Sequence, residues 1–155
     1  EQSSLLQPPF NIENLQMPRI EFYVLSSNDA TGRLRAACQL ALKAWSAGLP
    51  VFVRGSDEAQ CGELDELLWT FKAERFVPHD LHHEAPLSPV VLGIDEVPSS
   101  EQGVLINLVS SLSPHVERFS RIIEIVNQQP ELLNACRENF RTYRQRGYDP
   151  QRVEL

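Results

Sequence analysis

Five short apolar runs recur along the chain, and each is separated from the next by a loop or by a segment with helical spacing. They are rich in β-branched and aromatic residues, which is typical of β-strands. The runs are RIEFYVL (Arg19–Leu25), PVFV (Pro50–Val53), PVVLGI (Pro89–Ile94), GVLINLV (Gly103–Val109) and RIIEIV (Arg121–Val126). Because strands that alternate with helices form parallel sheets covered on both faces, the pattern predicts an α/β fold with a mainly parallel sheet of about five strands.

Three helices are predicted around these strands. Apolar residues recur at helical spacing ahead of Gly48, which is placed to end the first helix. Ser56 is a candidate N-cap for the second helix. Pro130 suits the first turn of the third helix, which is predicted to run to about Arg146. The stretch between Lys72 and Pro89 is predicted to be mostly loop.

Length and composition favour one globular domain. With 155 residues, the chain is long enough for one substantial core and short for two. We expect residues 1–16 to be an extension or linker and residues 17–155 to form a single domain. No apolar run approaches the roughly 18–20 residues that cross a membrane, so no membrane association is expected. The three cysteines are far apart in the sequence, which favours reduced thiols over disulfides.

The turn after the first strand argues against nucleotide binding. A doubly wound sheet that binds a nucleotide carries a glycine-rich loop at this point, so that the backbone can approach a phosphate closely. Here the turn reads SSNDATGRLR and contains a single glycine. The sequence therefore predicts no nucleotide-binding glycine loop, and we expect no cofactor.

The stretch FVPHDLHHE, at 76–84, contains three of the chain's four histidines. It suggests an alternative function, a metal-dependent hydrolase with ligands from His79, Asp80, His82 and His83. Prolines flank the segment and no helical spacing runs through it, so the ligands are not expected to converge. A polar loop is the simpler interpretation, with His79 hydrogen-bonded within the turn.

The third helix carries a stripe of arginines on a chain whose net charge is −7. Five of the fourteen basic residues lie in the last nineteen positions. On a helical wheel, Arg137, Arg141 and Arg144 fall beside an apolar arc, with Leu133 and Phe140 at the border. Arginine presents planar donors that suit carboxylates and phosphates. The pattern indicates a surface for a short peptide that is both acidic and apolar, although a solvated amphipathic helix would look the same.

Two motifs resemble a known family. They are DELLWTFKAERFVPHDL, at Asp65–Leu81, and RENFRTYRQRGY, at Arg137–Tyr148, and both are similar to the chi subunit of bacterial DNA polymerase III. The strand RIEFYVL and the helix ending KAWSAGLPVFV follow the same order, so the resemblance runs from Met17 to about Tyr148. It implies a Rossmann-like, three-layer α/β fold without nucleotide chemistry and without catalytic activity of its own.

The resemblance also implies a function and partners. A chi-like chain would be a non-catalytic adaptor in the replicative DNA polymerase III holoenzyme, which is a DNA-directed DNA polymerase assembly. It would link the clamp loader, through the psi subunit, to the acidic, Phe-terminated C-terminal tail of single-stranded DNA-binding protein (SSB). In some bacteria a helicase-like protein competes for the psi-binding face. The implied location is the cytoplasm, and DNA contact would be indirect, through SSB.

Site residues follow from the matched motifs. The tail-binding site of the family is matched here by Arg137, Phe140 and Arg141. Leu133 stands where a further basic residue is expected, so either Arg144 or Arg146 would compensate or the affinity for the tail would be lower.

The psi-binding face of the family is matched by Trp69 and Phe76. Exposed aromatic side chains of this kind are effective anchors in protein interfaces. The alternative for Trp69 is a place in the hydrophobic core.

Overall fold

The structure is a computed structural model, and it describes residues 17–70, 78–85, 87–100 and 102–154. Within these ranges the strands are β1 (Arg19–Val24), β2 (Val51–Arg54), β3 (His79–Leu81), β4 (Val90–Gly93), β5 (Gly103–Asn107), β6 (Phe119–Val126) and β7 (Gln151–Glu154). The helices are α1 (Ala30–Ser46), α2 (Glu58–Thr70) and α3 (Pro130–Gln145), with a 3-10 turn at Val116–Arg118.

The strands form one sheet with the order β3-β4-β2-β5-β6-β1-β7. Neighbouring strands in it are parallel. α1 and α2 cover one face of the sheet and α3 covers the other. The predicted three-layer α/β fold with a mainly parallel sheet is therefore confirmed.

The central strands are buried on both faces, which explains why their sequences do not alternate between apolar and polar residues. In β2, Val51 and Val53 pack in the cluster under α1 and α2. Phe52 points to the opposite face, into the cluster that contains Tyr143 of α3. Every residue of β2, β4 and β5 is buried.

The described sheet has two more strands than the sequence predicts, and both lie at its edges. β3 has three residues and β7 has four, and neither contains more than one apolar side chain. An edge strand needs little apolar surface, so HDL and QRVE carry no strand pattern. The stretch from Lys72 to Pro89, predicted to be mostly loop, contains a short strand at His79–Leu81, and its residues 72–77 and 86 lie outside the described ranges.

Local signals set the helix ends. Gly48, with a φ of +84°, follows α1 as predicted, because glycine adopts this conformation without strain. At α2 the cap is Asp57, whose carboxylate accepts a hydrogen bond from the main-chain N–H of Gln60 at 2.8 Å. The predicted cap, Ser56, instead donates its main-chain N–H to the Gln60 side chain at 2.8 Å. Helices long and apolar enough to cross a membrane do not occur in the described ranges.

One carboxylate lies in the core between the sheet and α3. Glu124, on β6, is 3% exposed. Its Oε2 accepts a hydrogen bond from the Tyr143 hydroxyl at 2.7 Å, and its Oε1 accepts one from Asn107 Nδ2 at 2.9 Å. The buried Arg54 joins the network through Asn107 Oδ1 at 3.3 Å. The network pairs buried polar groups with one another and ties α3 to β5 and β6.

Burial raises the pKa of Glu124 from 4.5 to about 7, while hydrogen bonds from Tyr143 and Asn107 oppose the rise. The folded protein therefore binds this proton more tightly than the unfolded chain does. Below about pH 4.5 the Glu124 carboxyl is protonated in both the folded and the unfolded chain, and its contribution to stability is complete. At higher pH the unfolded chain ionises more easily than the folded protein, so folding becomes less favourable. The contribution is lost as the pH rises through about 7.

We predict that Glu124→Gln removes this pH dependence. Glutamine keeps the shape of the protonated acid, and the Tyr143 hydroxyl can accept from its amide as well as donate. Between about pH 5 and 8, the free energy of unfolding should fall by roughly 2–3 kcal/mol more in the wild type than in the variant. Urea denaturation at several pH values measures the difference. Parallel pH profiles would show that Glu124 does not titrate in this range.

Candidate functional site

α3 presents aromatic residues to the sheet and arginines to the solvent. Tyr143 is fully buried, and its ring meets the ring of Phe22 edge-on at a centroid distance of 5.9 Å. Phe140 lies one turn earlier, is half-buried, and is 5.4 Å from the same Phe22 ring. These contacts fix the rotation of α3, so that Arg137 and Arg141 are left exposed.

The end of α3 turns the chain back towards the sheet. Gly147 has a φ of +94° and donates to the main-chain oxygen of Arg144 at 3.0 Å. The N–H of Tyr148 donates to the oxygen of Tyr143 at 3.0 Å, and their two rings meet edge-on. This is the Schellman arrangement, in which a left-handed glycine and an apolar contact end a helix. The chain then enters β7, which pairs with β1.

A groove lies between α3 and the edge of the sheet, with a volume of about 370 Å³. Its apolar surface comes from both the sheet and the helix, and three guanidinium groups surround it. The lining residues are Phe22 and Val24 of β1, Cys136, Arg137, Phe140 and Arg141 of α3, and Arg152 of β7. An apolar recess with a cationic rim is suited to a ligand that carries both an apolar group and carboxylates.

The arginines of α3 that line the groove pair with exposed residues of the same helix. Arg141 pairs with Glu138 at 2.9 Å, and Arg137 donates to the Asn134 side chain at 3.1 Å. Exposed pairs of this kind contribute little to stability. A ligand carboxylate can therefore replace these partners at small cost.

The structure places three of the five predicted tail-site residues in the groove: Arg137, Phe140 and Arg141. Arg144 does not line it. Its guanidinium carbon lies 4.9 Å from the centroid of the Phe140 ring, which is a cation–π contact. Leu133 does not line the groove either, and its side chain packs against the core cluster beneath α3.

Sequence reasoning missed the contribution of the sheet. The sequence pattern places Phe22 and Val24 only in a strand, and Arg152 only in a basic C-terminal segment, although all three line the groove. A helical wheel shows only the residues of one helix, so it cannot place β7 beside β1. The sequence of β7, QRVE, also has no strand pattern that would predict the pairing. The excess of basic residues after position 136 was the one signal that pointed to Arg152.

The three cysteines are free thiols, and burial raises the pKa of each. The pKa of Cys38 rises to about 12 and that of Cys61 to about 11. Both thiols are therefore protonated and unreactive at neutral pH. At Cys136, in the groove, the charges of Arg152 and Arg137 oppose the effect of burial.

A second surface surrounds Trp69, near the end of α2. The indole is 59% exposed, so its alternative assignment to the core is wrong. Its ring meets His79 edge-on at 5.2 Å. It borders a shallow groove of about 510 Å³ between α1 and α2, which is lined by Thr31, Leu34, Glu63, Glu66, Leu67, Trp69 and Thr70. Phe76, the other residue predicted for this face, lies outside the described ranges.

The histidines of FVPHDLHHE contact different parts of the fold. The His79 side chain is buried, and its Nε2 lies 3.2 Å from both the main-chain oxygen and Oδ1 of Asp65. Through Asp65, His79 joins β3 to α2, a contact that the predicted hydrogen bond within the turn does not include. His82 lies near the Phe52 ring, and His83 is exposed. In the described part of the chain, no three His, Cys, Asp or Glu side chains are placed to hold one metal ion.

Comparisons with known proteins agree with the fold and the motifs. Residues 17–151 match the family model of the DNA polymerase III chi subunit, HolC. The DNA polymerase III subunit chi of Pseudomonas aeruginosa is 45% identical over 132 residues, which cover 85% of this chain and 93% of that protein. The Escherichia coli K12 protein of the same name is 31% identical over 140 residues, covering 86% and 95%.

A solved structure supports the fold alone. The C-terminal domain of the DEAD-box protein Dbp5 superposes with a TM-score of 0.58 at 10% sequence identity, covering 93% of this chain and 92% of that one. The family match and the identity to the curated relatives extend over most of the sequence. The chain therefore belongs to the family of DNA polymerase III chi subunits.

Proposed function

We propose that this chain is a non-catalytic adaptor that links the clamp loader, through a psi subunit, to the C-terminal tail of SSB in the bacterial cytoplasm. Membership of the chi family gives it an accessory role in DNA replication. The observation that carries the finer proposal is the arginine-rimmed apolar groove beside α3.

The chemistry of the groove matches an acidic peptide that ends in phenylalanine. Phe140 and Cys136, which are half-buried, offer apolar surface for one large side chain, above the buried ring of Phe22. Arg137 and Arg141 stand beside that surface and can donate to aspartates or to a terminal carboxylate. The whole chain carries a net charge of −7, so the groove is a local exception that favours an anionic segment there.

The Trp69 surface is proposed to hold the psi-type partner. A largely exposed indole beside an apolar groove can bury a large area at low conformational cost. A helicase-like protein that competes with psi would use the same surface.

The two surfaces are far enough apart in the fold to be occupied together. α2 packs on β3 and β4, at one edge of the sheet, whereas the groove lies beside β1 and β7, at the other edge. They also lie on opposite faces, because α2 and α3 cover different sides of the sheet. An adaptor requires this kind of separation.

We predict that Arg141→Ala weakens binding of a labelled peptide with the SSB tail sequence by about tenfold, through loss of one charge-assisted hydrogen bond. Fluorescence anisotropy at low and moderate salt measures the effect, and binding should weaken with salt. Arg35→Ala is the matched control, because Arg35 is an exposed arginine on α1, on the other face of the sheet.

Two outcomes contradict this proposal. If the wild type does not bind the tail peptide, the adaptor function is wrong. If an oligothymidylate displaces the peptide while binding more tightly itself, the groove is a nucleic-acid site instead.

We predict that Trp69→Ala weakens binding of purified psi by about thirtyfold or more, as expected for an interface hot spot. Isothermal titration measures this affinity, with Val97→Ala, another exposed apolar residue, as the control. The same Trp69 variant should bind the tail peptide normally, and Arg141→Ala should bind psi normally. Loss of both partners in either variant would show that the two surfaces are not independent.

A further inference from the structure

The groove beside α3 has a second wall, and a single charged residue of β7 stands on it. β7 pairs with β1 so that Arg152 is opposite Phe22 and Glu154 is opposite Val24. Paired residues on neighbouring strands point to the same face of a sheet. Phe22 contacts Phe140 on the α3 side, so Arg152 also projects towards α3.

The positive charges therefore flank the recess from two directions. Arg137 and Arg141 stand on the helix, and Arg152 stands on the strand across from them. Both walls lie close to Cys136, since the charges of Arg152 on the strand and Arg137 on the helix each lower the pKa of its thiol, against the effect of burial. A ligand in the recess would lie between guanidinium groups rather than beside a single stripe.

Arg152 is available to a ligand. Its side chain is 59% exposed and forms an ion pair, at 2.8 Å, with Glu154, which is itself 71% exposed. A pair this exposed is weak, because water screens both charges. A peptide carboxylate can therefore take the place of Glu154, and Glu154 acts as a competitor for the same guanidinium.

We propose that Arg152 is a binding residue for the acidic peptide and that Glu154 weakens that binding by occupying it. The inference rests on the proposed function of the groove. It also accounts for the uncharged Leu133 on α3, where a basic residue is expected. Arg152 of β7 supplies the positive charge from the opposite side of the groove.

Three variants test the inference by peptide titration. Arg152→Ala should weaken binding about fivefold to tenfold, and Arg152→Lys should retain part of the affinity, since it keeps the charge but loses the planar donors. Glu154→Gln should strengthen binding about twofold to threefold, because it frees the guanidinium. The dependence of binding on salt should be shallower for Arg152→Ala than for the wild type.

Arg152→Ala and Glu154→Gln change the peptide affinity in opposite directions only if Arg152 contacts the peptide. If the ion pair merely holds β7 in place, Arg152→Ala and Glu154→Gln both remove it and both should weaken binding. Melting temperatures of the variants show whether either substitution unfolds the domain. Arg35→Ala, which removes an exposed arginine of α1 on the other face of the sheet, is the control for a general loss of positive charge.

The result also separates this inference from the proposed function. If the wild type binds the peptide, Arg141→Ala weakens it and Arg152→Ala binds as the wild type does, the inference is overturned and the adaptor proposal stands. If the wild type does not bind the peptide at all, the adaptor proposal fails first. Equal weakening by Arg152→Ala and Glu154→Gln would also overturn the inference.

Discussion

The hydrogen bond between the Tyr143 hydroxyl and the buried carboxyl of Glu124, together with the ring contacts to Phe22, holds α3 against the sheet. It joins the last turns of α3 to the centre of β6, and Asn107 extends the same network to β5. Removing either partner would leave a buried polar group unpaired, so the network specifies one docking of the helix. That docking places Phe140 over Phe22 and leaves the arginines of α3 at the rim of a recess.

The groove is assembled from two strands and a helix because α3 stops where it does. Gly147 ends the helix, and the chain returns as an edge strand parallel to β1. A longer helix would carry Arg152 away from the sheet. The groove therefore depends on the helix end at Gly147 as well as on the residues that line it. One of its walls is a helix and the other is formed by strands.

The sequence predicted those parts whose physics is local or strongly periodic. The central strands were found because burial on both faces demands continuous apolar residues, and α3 was found through Pro130, its apolar arc and Gly147. β3 and β7 were missed because edge strands carry polar side chains. The partner of His79 and the position of Arg152 depend on which elements are neighbours in space, and neither spacing nor composition contains that information.

The separation of the two candidate surfaces has a mechanical consequence. A pull between a partner on the Trp69 surface and a peptide in the groove would act across the strands, along the hydrogen bonds of the sheet. Under such a load the strands separate one at a time from an edge instead of shearing together. The edge on the groove side is β7, which pairs with β1 over four residues. The four-residue pairing of β7 with β1, which forms one wall of the groove, is therefore the sheet contact that such tension would load at this edge.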